Sequence, residues 1–306
     1  MTLPDGAPHV VVIGAGISGL SAAHSLLCSG RPMQVTVLEG SPEVGGKLRL
    51  QEVGGQPVDV GAEAVLNRRP EATELAAAVG LGDDLVYPAT TGAGVWTRGA
   101  VRPLPPTLMG VPADLDSDAA IGILGVHGCE TAERERQMPP VDVTEDVGVG
   151  ALVAQRLGDE VRDRLVEPLL GGVYAGRSDE ISVHAAVPQL VTGIREHGSL
   201  LAAASAVAGR KPRDATATAP VLAPVFAGLA GGVGRLATGT ATEVERRGGL
   251  IRRNAMVRGL SQTTSGWRLV VGPTADPEVV AADAVVVAVP GVPAARLLAQ
   301  PVPAAA

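Results

Sequence analysis

The 306-residue chain carries 32 acidic against 25 basic residues, a formal charge of -7 and a pI near 5.3; this excludes a nucleic-acid binder, because phosphate backbones are met by clustered basic surface. Hydrophobic residues make up 46% of the chain but aromatics only 2%, so a core has to be built from Val, Ala and Leu, and the length predicts about two domains. Cys28 and Cys129 have neither metal-ligand nor disulfide-framework spacing, which predicts a reducing, cytoplasmic setting and no metal.

Met1 to His9 lacks a basic segment followed by a cleavable apolar run, so no secretory signal is expected. Apolar Val10 to Ile13 predicts a strand that enters a glycine-rich turn. A helix with Leu20, Ala23 and Leu27 on one face follows, ending near Gly30, and then a strand over Val35 to Leu38. Strand, tight turn, helix, strand is a βαβ unit with parallel strands and a right-handed crossover. Leu50 to Asp59 reads as a hairpin around Gly54-Gly55, and Pro70 to Val79 as a helix stopped by Gly80. The prolines at 103, 105, 106 and 112 read as loop. So does the charged stretch Glu130 to Pro140, and His127-Gly128-Cys129-Glu130, which imitates a metal cluster, is placed in mobile polar chain without a second ligand pair.

Glu145 to Leu170 predicts helix, with Val149, Leu152, Val153, Leu157, Val161 and Leu165 on an apolar stripe punctuated by Arg156, Arg162 and Arg164. Further helices are expected from His184 to Ala208. Strand character returns at Val221 to Phe226, Met256 to Leu260, Trp267 to Val271 and Ala284 to Val289, with a helix between Gly232 and Gly248. The uncharged run from Ala215 to Gly234 is long enough to span a bilayer, but Pro220, Pro224 and its glycines read as strand, turn and helix start, so no transmembrane segment is expected.

Gly14-Ala15-Gly16-Ile17-Ser18-Gly19 directly follows a strand and opens a helix, the context a dinucleotide fingerprint requires. Gly14 allows the turn, Gly16 lets the backbone approach a pyrophosphate, and Gly19 lets helix and strand pack closely. The helix N-terminus turns free N–H groups to the anion. Glu39 and Gly40 end the second strand, where the carboxylate accepts from adenosine ribose hydroxyls and repels a 2'-phosphate. The next loop, Ser41 to Lys47, separates FAD from NAD: Gly45-Gly46 gives a second backbone approach and Lys47 offsets phosphate charge. Ser41 and Leu48 stand where a Walker A loop needs Gly and Ser or Thr, which excludes that reading. The predicted fold is α/β: a discontinuous Rossmann-like FAD/NAD(P)-binding domain, 1–69 and 221–306, with an α-helical insertion and part of a substrate-binding domain over 70–220.

This arrangement resembles the flavin-containing amine oxidase superfamily. Leu165 to Gly176, followed by Ser178 to Ser182, looks like the signature of one branch, the protoporphyrinogen and coproporphyrinogen oxidases of haem synthesis. The resemblance implies that Gly61, Ala62, Glu63 and Ala64 lie under the flavin, that Phe226 to Leu236 is a strand-to-helix return, and that Val257 makes a backbone contact on the adenine side. It also implies that Arg69, assisted by Arg68, faces the substrate propionates, with Tyr174 and Arg177 as secondary candidates; guanidinium pairs carboxylate bidentately. The helical insertion touches a membrane in some relatives, whereas the arginines of its stripe here suit solution. The family's remaining substrate strands and C-terminal glycine segment have no counterpart after Pro290 to Leu298, so a C-terminally truncated chain is expected.

The activity implied is oxidation of a porphyrinogen, in which a meso carbon loses hydride to the flavin and dioxygen reoxidises the flavin, giving hydrogen peroxide. The pyrrole nitrogens stabilise the developing cation, so no acid–base residue is required and no catalytic residue is assigned. Coproporphyrinogen III is favoured as the substrate because the chain's composition, in which Lys47 and Lys211 are the only lysines, is that of a GC-rich bacterial genome. Oxidation of protoporphyrinogen IX is the enzymatic alternative, and an inactive truncated flavoprotein the non-enzymatic one.

Overall fold

The computed structural model describes residues 6–67, 69–90, 92–208 and 224–302. In chain order, β1 (His9–Ile13), α1 (Ile17–Cys28) and β2 (Gln34–Leu38) are followed by the hairpin β3 (Leu50–Val53) and β4 (Gln56–Asp59), then β5 (Val65–Leu66), α2 (Pro70–Ala78) and β6 (Leu85–Val86). Next come two short hairpins, β7 (Gly94–Thr97) with β8 (Ala100–Pro103) and β9 (Thr107–Leu108) with β10 (Val111–Pro112). Helices α3 (Asp118–Glu133), α4 (Val149–Leu157) and α5 (Asp159–Val161) lead into a π-helix over Arg162–Gly171, and α6 (Gly172–Tyr174), α7 (Val183–Ala186), α8 (Pro188–His197) and α9 (Leu200–Ala208) follow. The chain then forms β11 (Phe226–Leu229), α10 (Gly234–Arg246), β12 (Leu250–Arg252), β13 (Val257–Thr263), β14 (Gly266–Val271), β15 (Glu278–Ala282), β16 (Ala284–Val287) and α11 (Gly291–Leu298).

These elements form two compact units, Met1–Ala89 with Leu222–Ala306, and Thr90–Val221. The fold is mixed α/β. In the first unit, a four-stranded sheet of order β12-β2-β1-β16 is parallel throughout. Its central strands read as continuous apolar runs because both faces are covered: Val11, Val12 and Val37 are fully buried, Val12 and Val37 packing with α1 and α10 and Val11 with the antiparallel sheet β13-β14-β15. Ala76 of α2 joins the first of these cores, so this helix belongs to the first unit and not with the helical segment. Asp59, at the end of β4, accepts from the N–H groups of Val233 (2.7 Å) and Gly234 (2.8 Å) and so caps α10 from a distant part of the chain.

The second unit is held by one aliphatic cluster in which Val149, Val153, Leu157, Val161 and Leu165 are fully buried, so the stripe is core. The helix carrying it is not continuous: Gly158 (φ 93°) ends α4, and the later part is a π-helix that contains Pro168. Two further expectations are corrected. The stretch taken as mobile loop is α3, capped by the Ser117 hydroxyl on the Ala120 N–H (3.3 Å), running to Glu133 and continuing as a 3-10 turn to Gln137. Its three-residue glycine spacing (Gly122, Gly125, Gly128) hid it, and Gly125 does break the helix locally with φ 79°. Arg156 does not punctuate the stripe toward solvent: its side chain is 12% exposed and lies 3.3 Å from the fully buried carboxylate of Glu135.

The returning strand begins at Phe226, later than expected, and the start of that expectation, Val221 to Ala223, lies outside the described residues. Strands β12 and β15 and helix α11 were not anticipated.

Candidate cofactor site

Because β1, β2 and β16 run parallel, their carboxyl ends open on one edge of the sheet, where such folds bind ligands. A cavity of about 840 Å³ lies there, within the usual range for a cofactor site. Gly14, Gly16, Ile17 and Ser18 line it from the β1–α1 turn, Glu39 and Gly40 from the end of β2, Gly45, Gly46 and Lys47 from the following loop, and Val257 from β13.

The glycines of the turn have separate duties. Gly14 has φ 102°, and a Cβ there would lie 2.7 Å from the Ala288 carbonyl oxygen. A Cβ on Gly19 would overlap the Gly14 carbonyl, so α1 reaches the strand only without one. At Gly16 a side chain would meet no atom within 4 Å. Since Gly16 lines the cavity, the space kept clear by its missing side chain is the cavity itself. No side chain caps α1, and its first intrahelical bond runs from Leu20 N–H to Gly16 O (3.0 Å), which leaves the preceding N–H groups for an anion.

The second glycine loop is stitched to the first. Gly45 N–H donates to Ala15 O at 2.8 Å, and a Cβ on Gly46 would lie 3.2 Å from the Gly16 Cα. Glu39 anchors both loops: one carboxylate oxygen accepts from Ala15 N–H (2.7 Å), the other from Ser41 N–H (2.8 Å). These two backbone partners add to the pairing with ribose hydroxyls expected from the sequence. A carboxylate has about four acceptor sites, so the group that lines the cavity retains acceptor capacity for a diol. Two clear glycine backbones, an uncapped helix N-terminus, a carboxylate at the strand end and Lys47 fit a dinucleotide diphosphate.

Ala15 and Gly19 lie behind the cavity wall, fully buried in Ala15's case. Gly61, Ala62, Glu63 and Ala64 are exposed and do not line it; their loop is fastened by Ala62 N–H to Lys47 O (2.9 Å). Arg69 is exposed just before α2, also outside the cavity, and Arg68 lies outside the described residues. Tyr174 is half exposed, its hydroxyl 3.4 Å from the Ala186 carbonyl. Sequence reading missed Met256, Arg258, Ala288, Val289, Pro290, Pro293, Arg296 and Leu297, all of which line the cavity. A signal existed for the later ones: a small-residue run after an apolar strand, if that strand lies parallel to β1, ends on the same edge as Gly14.

The sequence matches the family described as flavin containing amine oxidoreductase over residues 17–306. The chain belongs to that family. Its cofactor is FAD. The chain is 36% identical over 302 residues to the coproporphyrinogen III oxidase of Mycobacterium leprae, covering 95% of this chain and 62% of that protein. It is 33% identical over 204 residues to the coproporphyrinogen III oxidase of Bacillus subtilis, 65% of this chain and 43% of that one. The chain therefore spans less than two thirds of the length of these relatives. Among solved structures, a protein from Exiguobacterium sp. assigned provisionally as a protoporphyrinogen oxidase is 27% identical, with a TM-score of 0.73 over 98% of this chain and 62% of that one. Cyclohexylamine oxidase from Brevibacterium oxydans, at 19% identity and a TM-score of 0.62 over 95% of this chain and 60% of that one, shares the fold. No helix among the described residues is long and apolar enough to cross a membrane.

Proposed function

We propose that this chain is the FAD-holding part of an oxidase that converts coproporphyrinogen III to coproporphyrin III in haem synthesis. The observation that carries the reading is the glycine-walled cavity at the carboxyl edge of the parallel sheet, in a chain 36% identical to a coproporphyrinogen III oxidase over 302 residues.

When bound, FAD supplies the two-electron acceptor for porphyrinogen oxidation, with dioxygen carrying the electrons away as hydrogen peroxide. The backbone N–H groups of Ile17 and Ser18 hold the diphosphate, and Lys47 offsets part of its charge. Glu39 takes the adenosine ribose with its remaining acceptor sites and repels a 2'-phosphate, which excludes NADP. Gly61 to Ala64 run beneath the flavin, and Val257 meets the adenine through its backbone. Arg69, extended just before α2, pairs with a substrate propionate, with Arg68 assisting. None of these residues moves a proton: the chain orients the reactants, and the electron-rich pyrroles of the substrate ease the step.

Two measurements test this. A visible absorbance scan of the purified chain after addition of FAD and desalting should retain the flavin band; a colourless protein would leave the inactive reading. Turnover of coproporphyrinogen III should exceed that of protoporphyrinogen IX in the same assay, and the reverse preference would move the substrate to the latter. In a version carrying the residues that complete the relatives' length, Arg69→Ala should raise the Michaelis constant for coproporphyrinogen III about tenfold, and an unchanged constant would remove Arg69 from the substrate site.

A further inference from the structure

Cys28 is the last residue of α1 and His24 lies one turn before it, so the two side chains share a face of the helix. The Cys28 side chain is exposed, and its sulfur stands 3.5 Å from Nε2 and 4.0 Å from Nδ1 of the His24 ring. His24 itself is 8% exposed, and among the described residues its ring has no hydrogen-bond partner except that sulfur. A buried basic ring is therefore aimed at one accessible nucleophile. The end of α1 packs closely on the turn after α10, where a Cβ on Gly249 would lie 2.9 Å from Leu27 Cδ1 and 2.7 Å from Val244 Cγ1. That contact fixes the helix end that carries the pair.

The charged groups that face the pair come from α10: Arg247 and Glu243 act on His24, and Arg246 lies near Cys28. Burial first, and then the Arg247 charge, hold the imidazole below its ordinary value, with Glu243 opposing. At neutral pH the ring is consequently an unprotonated acceptor, its own proton on Nδ1 when the thiol donates to Nε2. A thiol within reach of a free base is the arrangement of an activated sulfur nucleophile. The chain's other cysteine supplies the contrast. Cys129 is half-buried, and burial followed by the Asp116 charge pushes its thiol up, which leaves it inert.

We propose that Cys28 and His24 form a peroxide-reactive dyad, a modification site at the far end of α1 from the residues of that helix that line the cofactor cavity, Ile17 and Ser18. The sulfur attacks one oxygen of hydrogen peroxide, and the S–O bond forms as the O–O bond breaks. Nε2 of His24 takes the thiol proton and returns it to the departing hydroxide. The thiol and hydrogen peroxide thus give a sulfenic acid and water, the sulfur losing the two electrons that the peroxide gains. Hydroxide is a poor leaving group, so a base that hands the proton back serves this oxidant better than it serves a reagent whose leaving group needs none. Hydrogen peroxide is also the by-product of the oxidase reaction proposed above, but the dyad stands whether or not the chain makes it.

The test adds hydrogen peroxide to the whole chain at neutral pH, times the loss of free thiol at each cysteine by mass spectrometry of its peptide, and captures sulfenic acid with dimedone. Cys28 should react about tenfold faster than free cysteine and carry the dimedone adduct, with Cys129 slower than free cysteine. His24→Gln should slow the peroxide reaction of Cys28 about tenfold but its alkylation by iodoacetamide, whose leaving iodide needs no proton, by no more than about threefold. Circular dichroism of that variant confirms that folded proteins are being compared. If Cys28 of the unchanged chain reacts no faster than free cysteine, the proposal is overturned without recourse to any variant. If His24→Gln slows both reagents alike, the ring returns no proton to the leaving group, and the dyad is overturned as well. An adduct on Cys129 and none on Cys28 would have the same result. Because the oxidant is supplied, none of these outcomes depends on whether the chain binds FAD.

Discussion

In the first unit the surface that matters is backbone: five glycines, a helix N-terminus and two loops laced together by the Glu39 carboxylate. In the second unit the equivalent investment is in side chains, a continuous Val and Leu cluster with one buried carboxylate, Glu135, set into it. Glu135 accepts from Ser199 Oγ (2.6 Å), Leu200 N–H (3.0 Å) and Arg156 Nη2 (3.3 Å), while Arg156 also donates to the Pro139 carbonyl (2.8 Å). It thereby joins the turn after α3 to α4 and to the start of α9.

The largest expected effect lies in the second unit. Glu135→Ala leaves a mostly buried guanidinium without its carboxylate and α9 without an acceptor at its N-terminus, which costs about 3–5 kcal/mol in urea denaturation. Replacing both Glu135 and Arg156 by Met should recover most of that loss, because the pair's own net contribution is small once both charges are gone. A double variant as unstable as Glu135→Ala would show that hydrogen bonds to Ser199 and Leu200, not the ion pair, hold the turn. FAD retention by the folded fraction should be unaltered in both, and a change would break the division of labour drawn between the units.

Next in size is Gly14→Ala. The new Cβ meets the Ala288 carbonyl at 2.7 Å, and the residue must keep φ 102°, so the fold loses about 2–3 kcal/mol. Here the comparison predicts a functional loss beyond the stability loss, since β1 and β16 part at the cavity edge: FAD should no longer survive desalting even at temperatures where circular dichroism shows native structure.

These two sites also mark what could be read in advance. Gly14 to Gly19, Glu39 and Gly45 to Lys47 are local patterns whose spacing alone implies geometry, and the structure brings most of them to one cavity. The helical unit was legible as a stripe, Val149 to Leu165, because burial follows periodicity. Its breaks were not, since a π-helix and a Gly158 reversal leave the apolar spacing nearly intact. Helix α3 was missed because glycine at every third position mimics loop composition, although tertiary packing of Ile123, Leu124 and Ala132 overrides the weak propensity. Glu135 and Arg156 were unreadable for another reason: 21 residues apart, they meet only in the folded chain.

A smaller effect is expected at Asp59, which caps α10 from outside the helix. Asp59→Ala should cost about 1–2 kcal/mol by thermal melting. Asp59→Asn should lose less than half of that, because it keeps one acceptor and gives up the charge facing the helix N-terminus. If Asn and Ala were equivalent, the cap would act through charge alone.

The smallest effect is a pH dependence where α1 meets α10. On α10, Glu243 takes Arg246 at 2.6 Å and Arg247 at 2.7 Å, and the hydrogen bonds and charges of these guanidiniums, Arg246 first, bring its carboxyl down to about 2. A carboxyl with a depressed folded value contributes stability that is complete above its ordinary value near 4.5 and is lost as pH falls toward 2. On α1, burial foremost and then the Arg247 charge hold the His24 imidazole below its ordinary value, while Glu243 opposes them. Protonating His24 therefore costs more in the folded chain than in the unfolded one, so its contribution is complete above pH 6.5 and declines as pH falls below it. Melting temperature against pH should fall in two stages, the first beginning below 6.5 and the second below 4.5. His24→Gln should remove the first stage and keep the second. Glu243→Gln should remove the second and, having lost the carboxylate that opposes the shift at His24, make the first steeper. A single stage that neither substitution alters would place the acid sensitivity outside this helix pair.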